Sequence, residues 1–223
     1  EANLKGNLIT LHNQMRIHAT KETVEWIRNL IDAGVVNEVP IDNDYDIRVF
    51  DSPEELQKAI IKKDDDQNLG ISRLTATYDW EYSSQSKPKD SDYWCVRIGD
   101  WSCPWNRQLA KEKESKHLSW IEQSQTIHEI GSTFTVQGFD LNYVGVIIGP
   151  SVKYRDGKII FDISESKNKS AVQNRKLESG EMINYGETLL RNELNVLLTR
   201  GVNGLYVYAV DEELQQALKN ATK

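Results

Sequence analysis

The amino-acid sequence predicts an α/β fold with a mostly parallel sheet flanked by helices. Short apolar runs alternate along the chain with segments whose apolar residues recur at helical spacing. One run, 144–148, has no polar side chain and ends at Gly149, as expected of a strand covered on both faces. The 223 residues are 39% hydrophobic and 27% charged, which suits one well-packed domain, and they contain no internal repeat.

In the first half of the chain, helix starts are the strongest local signals. Thr20 or Thr23 is a suitable N-cap for one helix, and Ser52, followed by Glu54 and Glu55, for the next. The predicted elements are a helix over 21–31, a strand over 45–50, a helix over 52–62, a strand over 71–78, a mobile polar loop over 83–91 and an irregular aromatic segment over 93–105.

In the second half, turn residues separate short apolar runs. The turn Arg155-Asp156-Gly157 lies between two β-like runs and predicts an inserted hairpin, and Asp211 is an N-cap for the last helix. The predicted elements are the strand over 144–148, the hairpin over 151–162, a poorly ordered polar stretch over 164–180, a helix over 187–198, a strand over 205–210 and a helix over 211–218.

Charge and composition narrow the classes of function. A net charge of −7 argues against a large phosphate-binding surface, although a narrow basic cluster is compatible with it because salt screens distant charges. No apolar run approaches the roughly 20 residues needed to cross a bilayer, so we expect a cytoplasmic protein with no membrane partner. Cys95 and Cys103 fit no zinc spacing, and we expect reduced packing residues and no metal site.

Three stretches carry candidate chemistry. Residues 11–16 end in Arg16, residues 131–140 contain Gln137-Gly138, and residues 195–201 contain Arg200. Phosphoryl transfer between two lobes needs cations that reach the nucleotide from the far side, and arginine meets phosphate oxygens with a planar fork. Taken singly, each signal has a plainer alternative: an arginine that stabilises a helix end, an ordinary turn, or a surface arginine.

The order of these stretches resembles the second RecA-like lobe of superfamily 1 helicases. The chain is more closely similar to an uncharacterised bacterial family of P-loop ATPases related to the helicase-like region of Schlafen proteins. The matching stretches, in order, are residues 80–84, 104–106, 137–147 and 196–201. The last two are specific, and the tryptophan-containing ones are supportive. The resemblance implies a RecA-like fold and a helicase-like ATPase.

The resemblance also implies roles for individual residues. Arg200 corresponds to the arginine finger that contacts the γ-phosphate, and Arg16 to the arginine of the earlier motif, which also faces ATP. The implied nucleotide and nucleic-acid coupling residues are Gln137, Gly138, Asp140, Thr135 and Thr199. Three positions depart from the family pattern, because Phe134 replaces a frequent histidine, Asp140 replaces glutamate and Asn142 replaces aspartate.

The phosphate-binding motif Gly-x-x-x-x-Gly-Lys-Ser/Thr does not occur in the sequence. We therefore expect residues 1–223 to be a single C-terminal RecA-like domain of a longer protein, whose first lobe binds ATP and Mg²⁺. The expected partners are that first lobe and single-stranded DNA or RNA. We expect the fragment alone to be inactive.

Two other functions stay open from sequence. Asp162, Glu165 and Lys167 form a constellation that nucleases use to hold Mg²⁺ and activate water, although a solvated polar loop accounts for it better. A binding module is the other alternative, because aromatic residues can stack bases or fill a core. The aromatic residues in question are Trp80, Tyr82, Trp94, Trp101 and Trp105.

Overall fold

The computed structural model describes residues 17–65, 70–110, 113, 115 and 117–222. Its helices are α1 (Lys21–Arg28), α2 (Pro53–Asp64), α3 (Thr133–Val136), α4 (Lys169–Val172), α5 (Gly186–Leu198) and α6 (Glu212–Ala221). Its strands are β1 (Asp46–Val49), β2 (Arg73–Ala76), β3 (Cys95–Ile98), β4 (Trp101–Pro104), β5 (Leu141–Ile148), β6 (Val152–Arg155), β7 (Lys158–Phe161), β8 (Asn174–Lys176), β9 (Met182–Asn184) and β10 (Gly201–Ala209).

A parallel sheet of four strands forms the centre of the molecule. The strand order is β1-β10-β5-β2, and each neighbouring pair is parallel. Val144 of β5 lies beside Leu205 of β10, and both side chains are fully buried. The prediction of an α/β fold with a parallel sheet flanked by helices is confirmed, and the arrangement is consistent with a RecA-like fold.

The two faces of the sheet have different cores. Val144, Val146 and Ile148 of β5 pack in one cluster with α1, α5 and α6. Ile147 belongs to a second cluster, with α2, Trp105 and other aromatic side chains. Because successive side chains of a strand point to opposite faces, β5 is covered on both sides, as its apolar sequence predicts.

The predicted helix starts are confirmed by their capping hydrogen bonds. The side chains of Thr20, Ser52 and Asp211 each accept a hydrogen bond from the backbone N–H three residues further on. The first helix passes from α1 into a π-helical segment, Asn29–Ala33, that ends at Gly34 with φ of 66°. None of the helices in the described part of the chain has the length and apolar character to span a bilayer.

The predicted hairpin is confirmed, while two other predictions for irregular segments are wrong. Asp156 and Gly157, with φ of 51° and 78°, form the turn between β6 and β7. The segment 93–105 contains the antiparallel pair β3–β4. Its many aromatic residues obscure the alternation of apolar and polar residues that indicates a strand. The stretch 164–180 contains α4 and β8, elements too short to leave a periodic signal.

Candidate functional site

An open groove of about 440 Å³ lies beside α3 and α5 and contains residues from two of the predicted motifs. We call it the arginine groove. Its lining includes Thr133, Phe134, Gln137, Arg175, Glu193 and Arg200. The short helix α3 leads into the Gln-Gly turn, and α5 ends just before Arg200. Two stretches that lie about 60 residues apart in the sequence are thus neighbours in space.

Arg200 is held between the end of α5 and the start of β10. Its side chain is 7% exposed, and Nη1 donates a hydrogen bond to the carbonyl of Phe139 at 3.1 Å. The carbonyl of Arg200 in turn accepts from the backbone N–H of Leu141 at 2.9 Å. The side chain of Arg200 forms part of the groove wall, and its role toward ATP stays a prediction.

The Gln-Gly turn presents polar groups at the mouth of the arginine groove. Gln137, the C-cap of α3, is exposed, and Gly138 has φ of 88° with open space where a Cβ would be. A backbone in this conformation favours glycine. Asp140 follows on the exposed side of the turn. The turn therefore offers a carboxamide and accessible backbone next to Arg200.

The two predicted threonines use their hydroxyl groups inside helix ends. Thr135 Oγ1 accepts from the backbone N–H of Ser132 at 2.8 Å and donates to its carbonyl at 2.9 Å. Thr199 Oγ1 donates to the carbonyl of Asn195 at 2.7 Å. These hydrogen bonds stabilise the start of α3, which precedes Gln137, and the end of α5, which precedes Arg200. The coupling roles of the two threonines stay predictions.

The remaining motif positions contribute in different ways. Arg16 lies outside the described residues. Asn142 is buried, and its Oδ1 accepts from Asn203 Nδ2 at 2.7 Å, so it joins the starts of β5 and β10. Phe134, where relatives often carry histidine, is 58% exposed and lies in the groove lining.

Glu193 is a groove residue that sequence analysis missed. It is 7% exposed on α5, and Oε1 accepts from the backbone N–H of Tyr78 at 3.0 Å. Burial, and then the negative charge of Asp79, raise the pKa of Glu193 to about 8. The signal was available in the sequence, because Glu193 lies within the apolar stripe of α5 formed by Leu190, Leu194 and Leu197.

Asp79 lies just beyond β2 and is 5% exposed. Its Oδ2 accepts from the hydroxyls of Thr77 and Ser151 at 2.9 and 2.8 Å, and burial raises its pKa. Gly149 makes room for this carboxyl group, because a Cβ at that position would lie 2.3 Å from Asp79 Oδ2. A second buried carboxyl group therefore lies close enough to Glu193 for its charge to act on that residue.

The charge balance of the arginine groove favours an anion. Its charged lining residues are Arg175, Glu193 and Arg200. Because the pKa of Glu193 is about 8, its carboxyl group is mostly protonated at neutral pH. The described lining of the groove thus carries two guanidinium groups and one mostly neutral carboxyl group, in a chain whose net charge is −7.

The tryptophans of the predicted aromatic cluster serve mainly as packing residues. Trp105 is fully buried, and its indole N–H donates to the carbonyl of Glu81 at 3.3 Å. The indole groups of Trp80 and Trp94 likewise donate to backbone carbonyls. Cys103 is buried beside them, and burial raises the pKa of its thiol to about 12, as suits a packing residue.

The candidate nuclease carboxylates are engaged by a lysine. Lys153 Nζ lies 2.7 Å from Asp162 Oδ2 and 3.5 Å from Glu165 Oε1. The hydrogen bond from Lys153 and those from Ser164 lower the pKa of Asp162 to about 2. Among the residues that the structure describes, no three or more His, Cys, Asp or Glu side chains are grouped to hold a metal ion.

Comparison with known proteins places these features in a family. Residues 2–211 match the family described as Schlafen group 3, DNA/RNA helicase domain. The uncharacterized protein YPL245W of Saccharomyces cerevisiae is 33% identical over 231 residues, which cover 96% of this chain and 48% of the yeast protein. The chain thus spans about half the length of that relative. No solved structure matches. The bacterial origin suggested by the sequence resemblance stays a prediction, since this relative is from yeast.

Proposed function

The chain belongs to the Schlafen group 3 DNA/RNA helicase domain family, and from that membership we propose that it is the second RecA-like lobe of a helicase-like ATPase. In this proposal Arg200 faces the phosphates of ATP that is bound mainly by a first lobe. Arg16 supplies a further cation, and the Gln137-Gly138 turn couples the nucleotide to single-stranded DNA or RNA.

One observation supports this proposal above the others: Arg200 and Gln137 line the same groove. The hydrogen bond from Arg200 to the carbonyl of Phe139 joins the arginine to the Gln-Gly stretch directly. If a phosphate group shifted the guanidinium of Arg200, this hydrogen bond would transmit the shift to the Gln-Gly turn. In the proposal, this contact couples the binding of nucleotide at Arg200 to the binding of nucleic acid at the turn.

The donors of the arginine groove fit the phosphates of ATP. Guanidinium groups meet phosphate oxygens with paired N–H donors, and the exposed carboxamide of Gln137 adds another donor. Among the described lining residues Glu193 is the one acidic residue, and its raised pKa of about 8 limits repulsion of an anion. A Mg²⁺ ion would instead need carboxylate or hydroxyl oxygens of the first lobe.

The burial of Arg200 favours its proposed interaction with the phosphates of ATP. A guanidinium that is 7% exposed and already hydrogen-bonded loses little conformational entropy when it meets an anion. In a groove of low polarity its charge also acts more strongly on a developing phosphoryl charge than it would in water. Loss of such an arginine costs about 10³-fold or more in turnover in related chemistry.

The test measures ATP hydrolysis by a protein that contains this chain together with the proposed first lobe, with and without single-stranded DNA or RNA. We expect Arg200→Ala to lower turnover about 10³-fold while nucleotide affinity changes much less. The matched control is Arg191→Ala, which removes an arginine of α5 that pairs with Glu187 at 2.8 Å. Equal turnover in Arg200→Ala and wild type would refute the proposed role, as would equal losses in both variants.

A further inference from the structure

A second cleft, of about 300 Å³, also borders α3. We call it the aromatic cleft, and its lining residues are Tyr78, Tyr82, Asn106, Arg107, Phe134 and Thr135. Phe134 lines both this cleft and the arginine groove. The helix α3, with Phe134 on it, therefore borders two cavities that are each lined by arginine.

The backbone at the edge of the aromatic cleft is strained. Asn106 and Arg107 have φ of 62° and 65°, so two successive residues other than glycine are left-handed. Asparagine tolerates this region, but arginine rarely adopts it. Strain of this kind persists only where the surrounding structure imposes it, and such residues cluster at functional sites.

Long-range hydrogen bonds impose this conformation. The backbone N–H of Asn106 donates to the carbonyl of Ile130 at 3.0 Å, and Ser132 Oγ lies 2.7 Å from Asn106 Oδ1. The buried carboxylate of Glu129 accepts from the backbone N–H groups of Gln108 and Leu109, the latter at 3.2 Å. The other oxygen of Glu129 accepts from the indole of Trp120 at 2.8 Å.

The strained turn leaves Arg107 exposed at the cleft. No described residue makes a hydrogen bond or ion pair with its guanidinium. Its charge does act on Tyr82, where burial raises the pKa of the phenol and the arginine opposes that rise. Its charge also lowers the pKa of the Glu129 carboxyl group, against the larger effect of burial, and an exposed cation thus lies beside the aromatic side chains.

Phe134 provides a fixed aromatic surface. Tyr78 contacts it edge-on, with ring centroids 5.6 Å apart and planes at 85°. Tyr78 in turn contacts Trp105 of the core, at 4.9 Å and 61°. The ring of Phe134 thus packs on Tyr78, which packs on the core, yet Phe134 remains 58% exposed. An exposed aromatic ring on a rigid support is suited to stacking.

We propose that the aromatic cleft binds one unpaired nucleotide of a single-stranded nucleic acid, with its base on Phe134 and its phosphate on Arg107. This inference rests on the proposed helicase-like function. A ring beside a cation matches the two parts of a nucleotide, and about 300 Å³ suits a single unit of a strand. Because Phe134 also lines the arginine groove, a stacked base would lie next to the ATP-facing wall.

The test measures the affinity of the 223-residue chain for fluorescein-labelled oligouridylate and oligothymidylate by anisotropy at several salt concentrations. We expect Phe134→Ala to weaken binding about 10-fold or more, while Phe134→Tyr keeps most of the affinity. Arg107→Ala removes one phosphate contact, so the slope of log affinity against log salt should shrink by about 0.7. A difference between the two oligonucleotides identifies RNA or DNA as the strand.

Arg28→Ala is the matched control, since it removes an exposed arginine of α1, which packs in the core cluster of the opposite sheet face. Circular dichroism verifies the fold of each variant. Wild-type affinity and salt slope in both Phe134→Ala and Arg107→Ala would overturn the inference, as would failure of the wild-type chain to bind either strand. Neither result bears on ATP turnover by Arg200 variants, so the two proposals can fail separately.

Discussion

The arginine groove and the aromatic cleft both border α3 and share Phe134, yet they hold their arginines in opposite ways. Arg200 follows a regular helix, is buried, and bonds to a neighbouring backbone carbonyl. Arg107 stands exposed on a left-handed turn held by a distant glutamate. Secondary structure positions the first arginine, whereas long-range hydrogen bonds position the second. The two sites should therefore respond differently to mutation and to pH.

The largest expected effect concerns the wall of the arginine groove. The pKa of Glu193 is about 8 in the folded chain against 4.5 for an ordinary glutamate, so the folded state keeps a proton that the unfolded state has released between these values. Protonation of Glu193 therefore adds to the free energy of unfolding. This contribution is complete below the pKa of Glu193 in the unfolded chain and is lost as the pH rises through its pKa in the folded chain. The loss amounts to about 5 kcal/mol.

Urea unfolding at a series of pH values measures this effect. Glu193→Gln keeps the acceptor for the backbone N–H of Tyr78 but cannot ionise, so its free energy of unfolding should depend less on pH. A shallower slope of the same sign remains, because burial also raises the pKa of Asp79. An unchanged slope in Glu193→Gln would show that this carboxyl group is not the one that titrates.

The next effect concerns the support of the aromatic cleft. Glu129→Ala leaves two backbone N–H groups and the indole of Trp120 without their acceptor, and we expect a loss of about 3 kcal/mol in the free energy of unfolding. The control Glu122→Ala removes an exposed carboxylate that caps a single turn and should cost about 1 kcal/mol or less. Equal losses from the two variants would mean that Glu129 does not hold the turn.

The smallest effect tests whether the turn stores strain. Arg107→Gly removes the strain of a left-handed backbone at an arginine, and we expect the free energy of unfolding in urea to rise by about 0.5–1 kcal/mol. The same variant should lose affinity for the single-stranded nucleic acid. Arg200→Gly should instead destabilise the chain, because it removes a buried hydrogen-bonded side chain. A less stable Arg107→Gly variant would indicate that the turn is relaxed.

The same contrast explains what sequence could predict. The apolar run of β5 and the caps at Thr20, Ser52 and Asp211 are local signals, and they predicted the parallel sheet and the helix starts correctly. The resemblance of two motifs to helicases led to Gln137 and Arg200, which the fold brings to one groove. These features depend on residues that are near each other in sequence or in a recognised motif.

The aromatic cleft could not be predicted in this way. Tyr78, Arg107 and Phe134 come from separate stretches, and the positive φ of Arg107 has no sequence signal because it is imposed by Glu129 and Ile130. The pair β3–β4 and the short helix α4 were missed for a related reason. Elements of four residues gain their stability from tertiary contacts and leave little periodicity behind.

The most direct test of the central claim replaces Arg200 by lysine in a protein that also contains the proposed first lobe. Lysine keeps the positive charge but loses the planar fork that meets two phosphate oxygens. If Arg200 acts on the phosphates of ATP, Arg200→Lys should lose turnover almost as completely as Arg200→Ala, about 10³-fold, with ATP affinity changed only a few-fold. Normal turnover by Arg200→Lys and Arg200→Ala would contradict that role and leave Arg200 as a structural residue at the end of α5.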